Sequence, residues 1–175
     1  MNTTTQAAPT GGSDGPMTPE QASHFSEHIK AQVQHVIAKV PLLGVVTWLM
    51  LQNSTTRHTL ISELEWRVMP PLVRDQSRIY LQDNAPVAYV SWARLSDASA
   101  ERYKFPPHHL SSTDWNSGEN NWVVDLCAPF GGASDIIHVL RNTVFKGQAL
   151  NQLSVAADGR PEVITWPASV DAPLA

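Results

Sequence analysis

Apolar residues recur at helical spacing in the N-terminal third of the chain. The positions that share one helical face are Phe25, Ile29, Val33, Val36, Ile37 and Val40, a pattern that is typical of a helix with one buried side. Thr18 suits the cap of this helix, and Pro19 and Glu20 suit its first turn. Because proline lacks the N–H that a helix interior uses, we expect Pro41 to end the helix.

A second helix is predicted over residues 43–55, where Trp48, Leu49 and Leu51 are the bulky apolar positions. The stretch over 60–66 is compatible with either a helix or a strand. The following Met69-Pro70-Pro71 should break whichever element precedes it, because a residue before proline avoids helical backbone.

Strand patterns begin in the middle of the chain. Two alternating runs over 78–81 and 87–92 flank the turn residues 83–86, which predicts a β-hairpin. The polar region over 96–118 is predicted to be mostly loop around a short helix at 98–103.

The last third combines strands with one helix. We expect a buried strand over 122–126, a tight turn over 130–135 that opens a helix ending near Thr143, and two strands over 150–156 and 162–166 joined by the turn at Asp158 and Gly159. This order of helices and strands predicts an α/β fold with a mixed sheet.

The composition is that of one globular domain. The chain has 175 residues, of which 42% are hydrophobic and 16% are charged, so one core is expected. We assign it to residues 18–167, between a flexible tail at 1–17 and a frayed tail at 168–175. The formal charge of -4 argues against a general nucleic-acid binder, because a surface that follows phosphates is usually basic.

Neither a signal peptide nor a membrane span is expected. The first fifteen residues have no basic segment followed by an apolar one. The longest apolar stretch, from Val40 to Leu51, is interrupted by Pro41 and Gly44 and is shorter than the roughly 20 residues that a span needs. A soluble protein of a reducing compartment is therefore predicted.

Cysteine and histidine give little evidence for a metal centre. The single Cys127 excludes an internal disulfide and is interpreted as a buried structural thiol rather than a nucleophile. His24 and His28 are one helical turn apart, a spacing that can hold zinc, but no acidic motif accompanies them. We interpret them as part of a solvated polar face and predict no metal site.

Four segments of the chain form a more specific pattern. They are Leu43-Gly44-(x3)-Trp48-Leu49-Met50, Pro86-Val87-Ala88-Tyr89-Val90-Ser91-Trp92-Ala93, Asp114-Trp115-Asn116-Ser117-Gly118 and Trp122-Val123-Val124-Asp125-Leu126-Cys127-Ala128-Pro129-Phe130-Gly131. In order and approximate spacing they resemble the RTX toxin-activating lysine acyltransferases, and the resemblance covers residues from about Pro41 to Phe145.

The resemblance implies a fold similar to the GCN5-related N-acetyltransferases and an acyl-transfer reaction. Members of the family move a fatty acyl group from acyl carrier protein to internal lysines of an RTX-type protoxin. They do so in the cytoplasm before the toxin is secreted, and some are homodimers. The implied co-substrate is acyl carrier protein with its phosphopantetheine-linked acyl chain, and no bound cofactor is implied.

The donor and acceptor sides can be assigned to two segments. Phe130, Gly131, Gly132 and Ala133 follow the central strand and open a helix, a layout whose backbone N–H groups suit the donor phosphate; the alternative is an ordinary strand-to-helix turn. The hairpin residues Ser91 and Trp92 are expected beside the acceptor, although Trp92 also fits simple core packing.

The catalytic motif of the family is altered in this chain. Asp125 matches the family aspartate, but the family Ser-x-x-His pair falls on Asn53 and Thr56, and threonine is no general base near neutral pH. Slippage of the alignment would let Ser54 and His58 replace the pair, with His58 as base and Asp125 orienting it.

Two other interpretations remain open. In one, the chain has lost the reaction and acts as a binding or regulatory partner. In the other, it is an acyltransferase whose acceptor is a small peptide or metabolite.

Overall fold

The computed structural model of the chain describes residues 18–156 and 159–168. Both predicted tails lie outside these residues except for position 168, as does Asp158 of the last predicted turn. The chain divides into two compact units, Met1–His35 and Val36–Ala175. Of the described elements, the second unit holds every strand and every helix except the N-terminal part of the first helix.

The first helix, α1, runs without a break over Pro19–Gln52 and contains Pro41 in its interior. The prediction of two helices separated at Pro41 is therefore wrong. Proline removes the backbone hydrogen bond that its own N–H would donate, and its ring crowds the preceding turn, but apolar residues at helical spacing continue beyond it. Val46, Leu49 and Met50 in the following turns are buried, and their packing holds the C-terminal part of the helix.

The continuity of α1 also changes the expectation about membranes. By length and composition alone, one helix in the described part of the chain is long and apolar enough to cross a membrane, namely the Phe25–Gln52 portion, with a hydropathy of 1.5. Helices of soluble proteins and signal sequences meet the same criterion. The expectation of no membrane span rests on the shortness of the apolar stretch from Val40 to Leu51 and on Pro41 and Gly44 within it, and it does not take into account a helix that continues through both residues.

Short helices fill the segment whose pattern was ambiguous. A 3-10 turn over Ile61–Glu63 leads into α2, Leu64–Arg67, and then into α3, Met69–Val73. The expected break before the two prolines is confirmed, because α2 ends at Arg67. Pro70 and Pro71 then occupy the first turn of α3, where the missing N–H groups cost no helical hydrogen bond.

The sheet has five strands in the order β1-β2-β3-β4-β5. Their bounds are Ser77–Gln82 for β1, Ala85–Leu95 for β2, Asn120–Cys127 for β3, Leu150–Val155 for β4 and Pro161–Trp166 for β5. Among the strands of the described residues, β3 and β4 are the one pair that runs in parallel. The predicted hairpin is confirmed, and its turn consists of Asp83 and Asn84, both with positive φ, as a type I′ turn requires.

Two further helices complete the fold: α4, Asp97–Tyr103, and α5, Ala133–Thr143. On one face of the sheet, Ile136 and Leu140 of α5 pack against Val90 and Trp92 of β2. On the other face, Leu49 of α1 and Val68 belong to a second buried cluster that includes Tyr89 and Cys127. The mixed sheet between helices confirms the predicted α/β class and is consistent with a GCN5-related N-acetyltransferase-like fold.

Candidate active site

The side chain of Asp125 is directed by an irregularity in the central strand. Ser91 of β2 pairs with Asp125, whereas the next residue, Trp92, pairs with Val123. Val124 is therefore an extra residue on β3, which makes a β-bulge. Val123 packs in the cluster beneath α5, while Asp125 and Cys127 face the layer formed by α1 and α2. Bulges of this kind redirect side chains near active sites.

Asp125 forms a bidentate ion pair with Arg67, the last residue of α2. Arg67 Nε donates to both carboxylate oxygens, at 2.9 Å and 2.8 Å, and Nη2 donates to Oδ1 at 2.5 Å. The Asp125 side chain is 8% exposed and that of Arg67 is 26% exposed. The hydrogen bonds to Asp125 raise the pKa of Arg67 although burial opposes this change. A buried carboxylate is costly unless it is paired, and here a cation from a neighbouring helix pairs with it.

Two buried hydroxyl groups lie beside this ion pair. Ser91 is opposite Asp125 in the sheet, and Tyr89 is opposite Cys127. The two hydroxyls lie close enough to interact with each other, but neither makes a well-formed hydrogen bond to a described residue. Burial raises the pKa of Tyr89 well above its usual range, and the charge of Asp125 raises it further. Tyr89 is therefore a neutral phenol at physiological pH.

The two positions that depart from the family motif contact the end of β3. The Asn53 side-chain amide donates to Cys127 Sγ at 3.8 Å, and its oxygen accepts from the Thr55 hydroxyl at 2.7 Å. The buried Thr56 hydroxyl donates to the Met50 carbonyl at 2.9 Å. Cys127 is free, and its predicted burial is confirmed; burial also raises the pKa of its thiol. Thr56 thus caps the end of α1.

The proposed replacement residues, Ser54 and His58, are both exposed. Within the described residues no hydrogen bond or ion pair joins either of them to Asp125, whose carboxylate is held by Arg67. Their catalytic roles stay predictions. Sequence reasoning missed Arg67, and the only available signal was the need of Asp125 for a cationic or donating partner.

The expected strand-to-helix turn is present at the end of β3. Gly131 and Gly132 have φ values of 95° and 80°, a left-handed region that glycine adopts without steric cost. Gly132 caps α5, which begins at Ala133. The exposed Phe130 ring lies 6.2 Å from the Trp48 ring of α1, measured between ring centroids.

A cavity of about 380 Å³ opens beside this turn. Its walls come from the turn, from the β1–β2 hairpin and from α5. They consist of the apolar Leu81, Val87, Ala88, Phe130, Ile136 and Val139, the glycines Gly131 and Gly132, and the polar Tyr80, Gln82 and Asp135. Most of these residues are apolar. The cavity therefore suits an aliphatic group better than a charged one.

β3 and β4 are joined over a short distance only. Their parallel ladder consists of the pairs Trp122 with Asn151 and Val123 with Gln152. Asp125 lies beyond the last pair, where the two strands have separated. The sheet is therefore split at the level of the Arg67–Asp125 pair.

The two residues assigned to the acceptor side point in opposite directions. Ser91 faces the Asp125 side of the sheet. Trp92 is buried beneath α5, with its ring edge-on to Phe145 at a centroid distance of 5.8 Å. Core packing of Trp92, one of its two interpretations, is confirmed.

No group of three or more histidine, cysteine or acidic side chains suited to a metal ion occurs among residues 18–156 and 159–168. His28 contacts Gln32 on the same helix, at 2.9 Å between their side-chain nitrogens. The side chain of His24 lies outside the described part.

Comparison with known proteins decides the family. Residues 35–167 match the model of the RTX toxin acyltransferase family. The chain belongs to this family. The resemblance inferred from the four segments is therefore confirmed.

Several relatives carry toxin-activating names. The chain is similar to the RTX-II toxin-activating lysine-acyltransferase ApxIIC of Actinobacillus pleuropneumoniae, with 37% identity over 53% of this chain and 58% of the relative. It is 34% identical to the protein-lysine myristoyltransferase HlyC of Escherichia coli, over 57% of this chain and 58% of the relative. An uncharacterized protein of Synechocystis is 31% identical over 68% of the chain and 82% of its own length. The chain thus spans little more than half of the toxin-activating relatives that it matches.

Proposed function

We propose that this chain is a protein-lysine fatty acyltransferase that acts on internal lysines of an RTX-type protoxin in the cytoplasm. The proposed acyl donor is acyl carrier protein, and a second copy of the chain is a further proposed partner. Family membership and the names of the relatives support the reaction class. The observation that carries the proposal is the buried Asp125 carboxylate, which a bulge holds where the central strands separate.

The turn at Gly131 and Gly132 supports the donor side of the proposal. Helix α5 has 11 residues, and its N-terminal N–H groups carry a partial positive charge that favours an anion such as the donor phosphate. The neighbouring apolar cavity suits the acyl chain or the pantetheine arm. Both glycines border open space, since a Cβ atom built on either would have no non-neighbouring atom within 4 Å. A donor can therefore come close to the backbone of the turn.

The reaction itself is aminolysis of a thioester. The lysine nitrogen forms a bond to the carbonyl carbon, the carbon–sulfur bond breaks, and the sulfur leaves with its electron pair. The ammonium form of lysine must first lose a proton, for which His58 is the proposed base and Ser54 a polar helper. For Asp125 to orient His58, the segment between α1 and the 3-10 turn must move inward, because the described carboxylate contacts belong to Arg67.

A second function is favoured by the altered motif. The Thr56 hydroxyl donates to the Met50 carbonyl, and Asp125 is paired with Arg67. Both positions that correspond to the family's catalytic pair of histidine and aspartate therefore already have other partners. In this alternative the chain binds acyl carrier protein or protoxin as a regulatory partner and transfers nothing.

One experiment separates the two functions. The purified protein is incubated with acyl carrier protein carrying a fatty acyl chain and with a lysine-bearing protoxin segment, and the intact mass of the acceptor is measured. We expect an increase by one acyl group, which Asp125→Asn abolishes and the exposed turn variant Asp83→Asn leaves unchanged. An unmodified acceptor together with measurable binding of acyl carrier protein would favour the regulatory function.

A further inference from the structure

The ion pair at the split of the sheet leaves one side of the Arg67 guanidinium free for a substrate. Arg67 binds Asp125 through Nε and Nη2. The edge of the guanidinium that carries these two nitrogens is therefore occupied. Nη1 lies outside that edge and has no hydrogen bond to any residue within 18–156 and 159–168. About a quarter of the Arg67 side chain is exposed, so the residue is not sealed inside the fold.

Packing fixes the position of this guanidinium. Arg67 is the last residue of α2, and its neighbours Leu64 and Val68 belong to the buried cluster on that face of the sheet. The Val68 side chain is fully buried. The backbone of Arg67 is held by this packing, and its guanidinium is held by both carboxylate oxygens of Asp125. The Arg67 side chain therefore loses little conformational freedom when a substrate binds.

The groups around Arg67 leave it as the local cation. Arg67 interacts electrostatically with Asp125, Tyr103, Glu63, Tyr89 and Cys127. Burial raises the pKa of both tyrosines and of the cysteine, so these three are neutral at pH 7. Asp125 is paired with the other edge of the guanidinium, and Glu63 precedes α2.

We propose that Arg67 is a catalytic residue of the acyl transfer, with Nη1 donating a hydrogen bond to the thioester carbonyl oxygen as that oxygen gains negative charge. This inference rests on the proposed function. A fixed donor aimed at a developing oxyanion stabilises the transition state more than the ground state. The positive charge of Arg67 also neutralises that of Asp125, which would otherwise favour the ammonium form of an approaching lysine.

Asp125 then acts as a positioning residue. Its carboxylate orients the guanidinium, in the way that a carboxylate orients the histidine of a catalytic triad. During the step the amine nitrogen bonds to carbon, the electron pair of the carbon–sulfur bond goes to sulfur, and the amine proton passes to the proposed base His58, which can return it to the leaving thiolate. Arg67 neither gains nor loses a proton.

The test compares Arg67→Gln, Arg67→Lys and the double variant Arg67→Gln with Asp125→Asn. The acylation rate is measured with acyl carrier protein as donor over a range of pH. We expect Arg67→Gln to lower kcat by about 100-fold with little change in KM for the donor, and to move the alkaline rise of the rate to higher pH. Arg67→Lys should keep the pH profile of the wild type and recover part of kcat.

The double variant replaces the ion pair by two neutral amides. It leaves no unpaired buried charge, so it takes the place of Arg67→Gln in the rate measurements if that single variant does not fold. A wild-type kcat and pH profile in the folded glutamine variant would overturn the role of Arg67 and leave the acyltransferase function intact. A wild-type protein that acylates no acceptor would instead overturn the proposed function, and the role of Arg67 with it.

Discussion

Gly118 lies directly against the backbone of Ser96. A Cβ atom on Gly118 would be 2.6 Å from the Ser96 Cα and 2.7 Å from the Leu95 carbonyl oxygen, distances that no side-chain rotation relieves. The Gly118 N–H also bonds to the Arg94 carbonyl at 3.2 Å. The polar loop after α4 is thereby fastened to the end of β2 by backbone contacts.

This contact predicts a large loss of stability for Gly118→Ala. We expect a decrease of about 2–3 kcal/mol in the free energy of unfolding, because the clash is with backbone. Gly44→Ala is the matched control, since nothing lies within 4 Å of its Cβ position in α1. Removing a helical glycine should stabilise the protein by about 1 kcal/mol. Urea unfolding of both variants measures the change in the free energy of unfolding. Equal changes in the two variants would contradict the prediction.

The donor turn predicts a change in donor binding for Gly131→Ala. With φ at 95°, alanine is strained by about 1–2 kcal/mol, and the turn should shift away from its donor-binding form. Gly147→Ala imposes similar strain at a φ of 72° outside this turn. We expect comparable decreases in melting temperature for both variants, but an increased KM for acyl carrier protein only for Gly131→Ala. An unchanged KM in both would remove the turn from the donor site.

The assignment of His58 as the base predicts a loss of turnover for His58→Ala. General-base catalysis contributes about 100-fold or more to the rate, so kcat should fall by at least that factor. His138→Ala is the control, because His138 is another exposed histidine, in contact with Asn142 on α5. Acylation rates of both variants are compared by mass spectrometry. If His58→Ala turns over like the wild type, His58 has no part in the mechanism.

Asp114 predicts a dependence of stability on acidic pH. Burial would raise its pKa, but hydrogen bonds from Ser111, Ser99 and Arg102 outweigh burial and lower the pKa well below its usual range. The carboxylate therefore stabilises the fold above the pKa of the unfolded chain, near pH 4, and this contribution is lost as pH falls toward the folded-state pKa.

Melting temperatures between pH 2 and pH 7 measure this contribution. Asp114→Asn should be less stable than the wild type at pH 7, and the two curves should converge in acid. The exposed Asp83→Asn should run parallel to the wild type throughout. A constant difference between Asp114→Asn and the wild type would show that the lost contribution does not depend on the charge.

The sequence predicted the elements better than their side-chain directions. The hairpin around Asp83 and Asn84 and the turn at Gly131 follow from local residue preferences, which act over a few positions. Pro41 misled because burial of the residues after it, which is a tertiary effect, keeps α1 continuous.

The site required information that local patterns do not contain. Simple alternation along β3 places Asp125 on the same face as Val123, and only the pairing with β2 reveals the bulge that separates them. Arg67 belongs to a helix of four residues, too short to show a period, and its partner is 58 positions away. Family resemblance identified Asp125, but the partner that it implied was a histidine and not Arg67.

The short ladder between β3 and β4 has a mechanical consequence. With two residue pairs across this seam, the C-terminal hairpin of β4 and β5 is attached to the rest of the sheet largely through side chains such as Leu150 and Trp166. Such a hairpin can lift as a unit while β1 to β3 stay intact. Its amide protons should therefore exchange with deuterium sooner than those of β2.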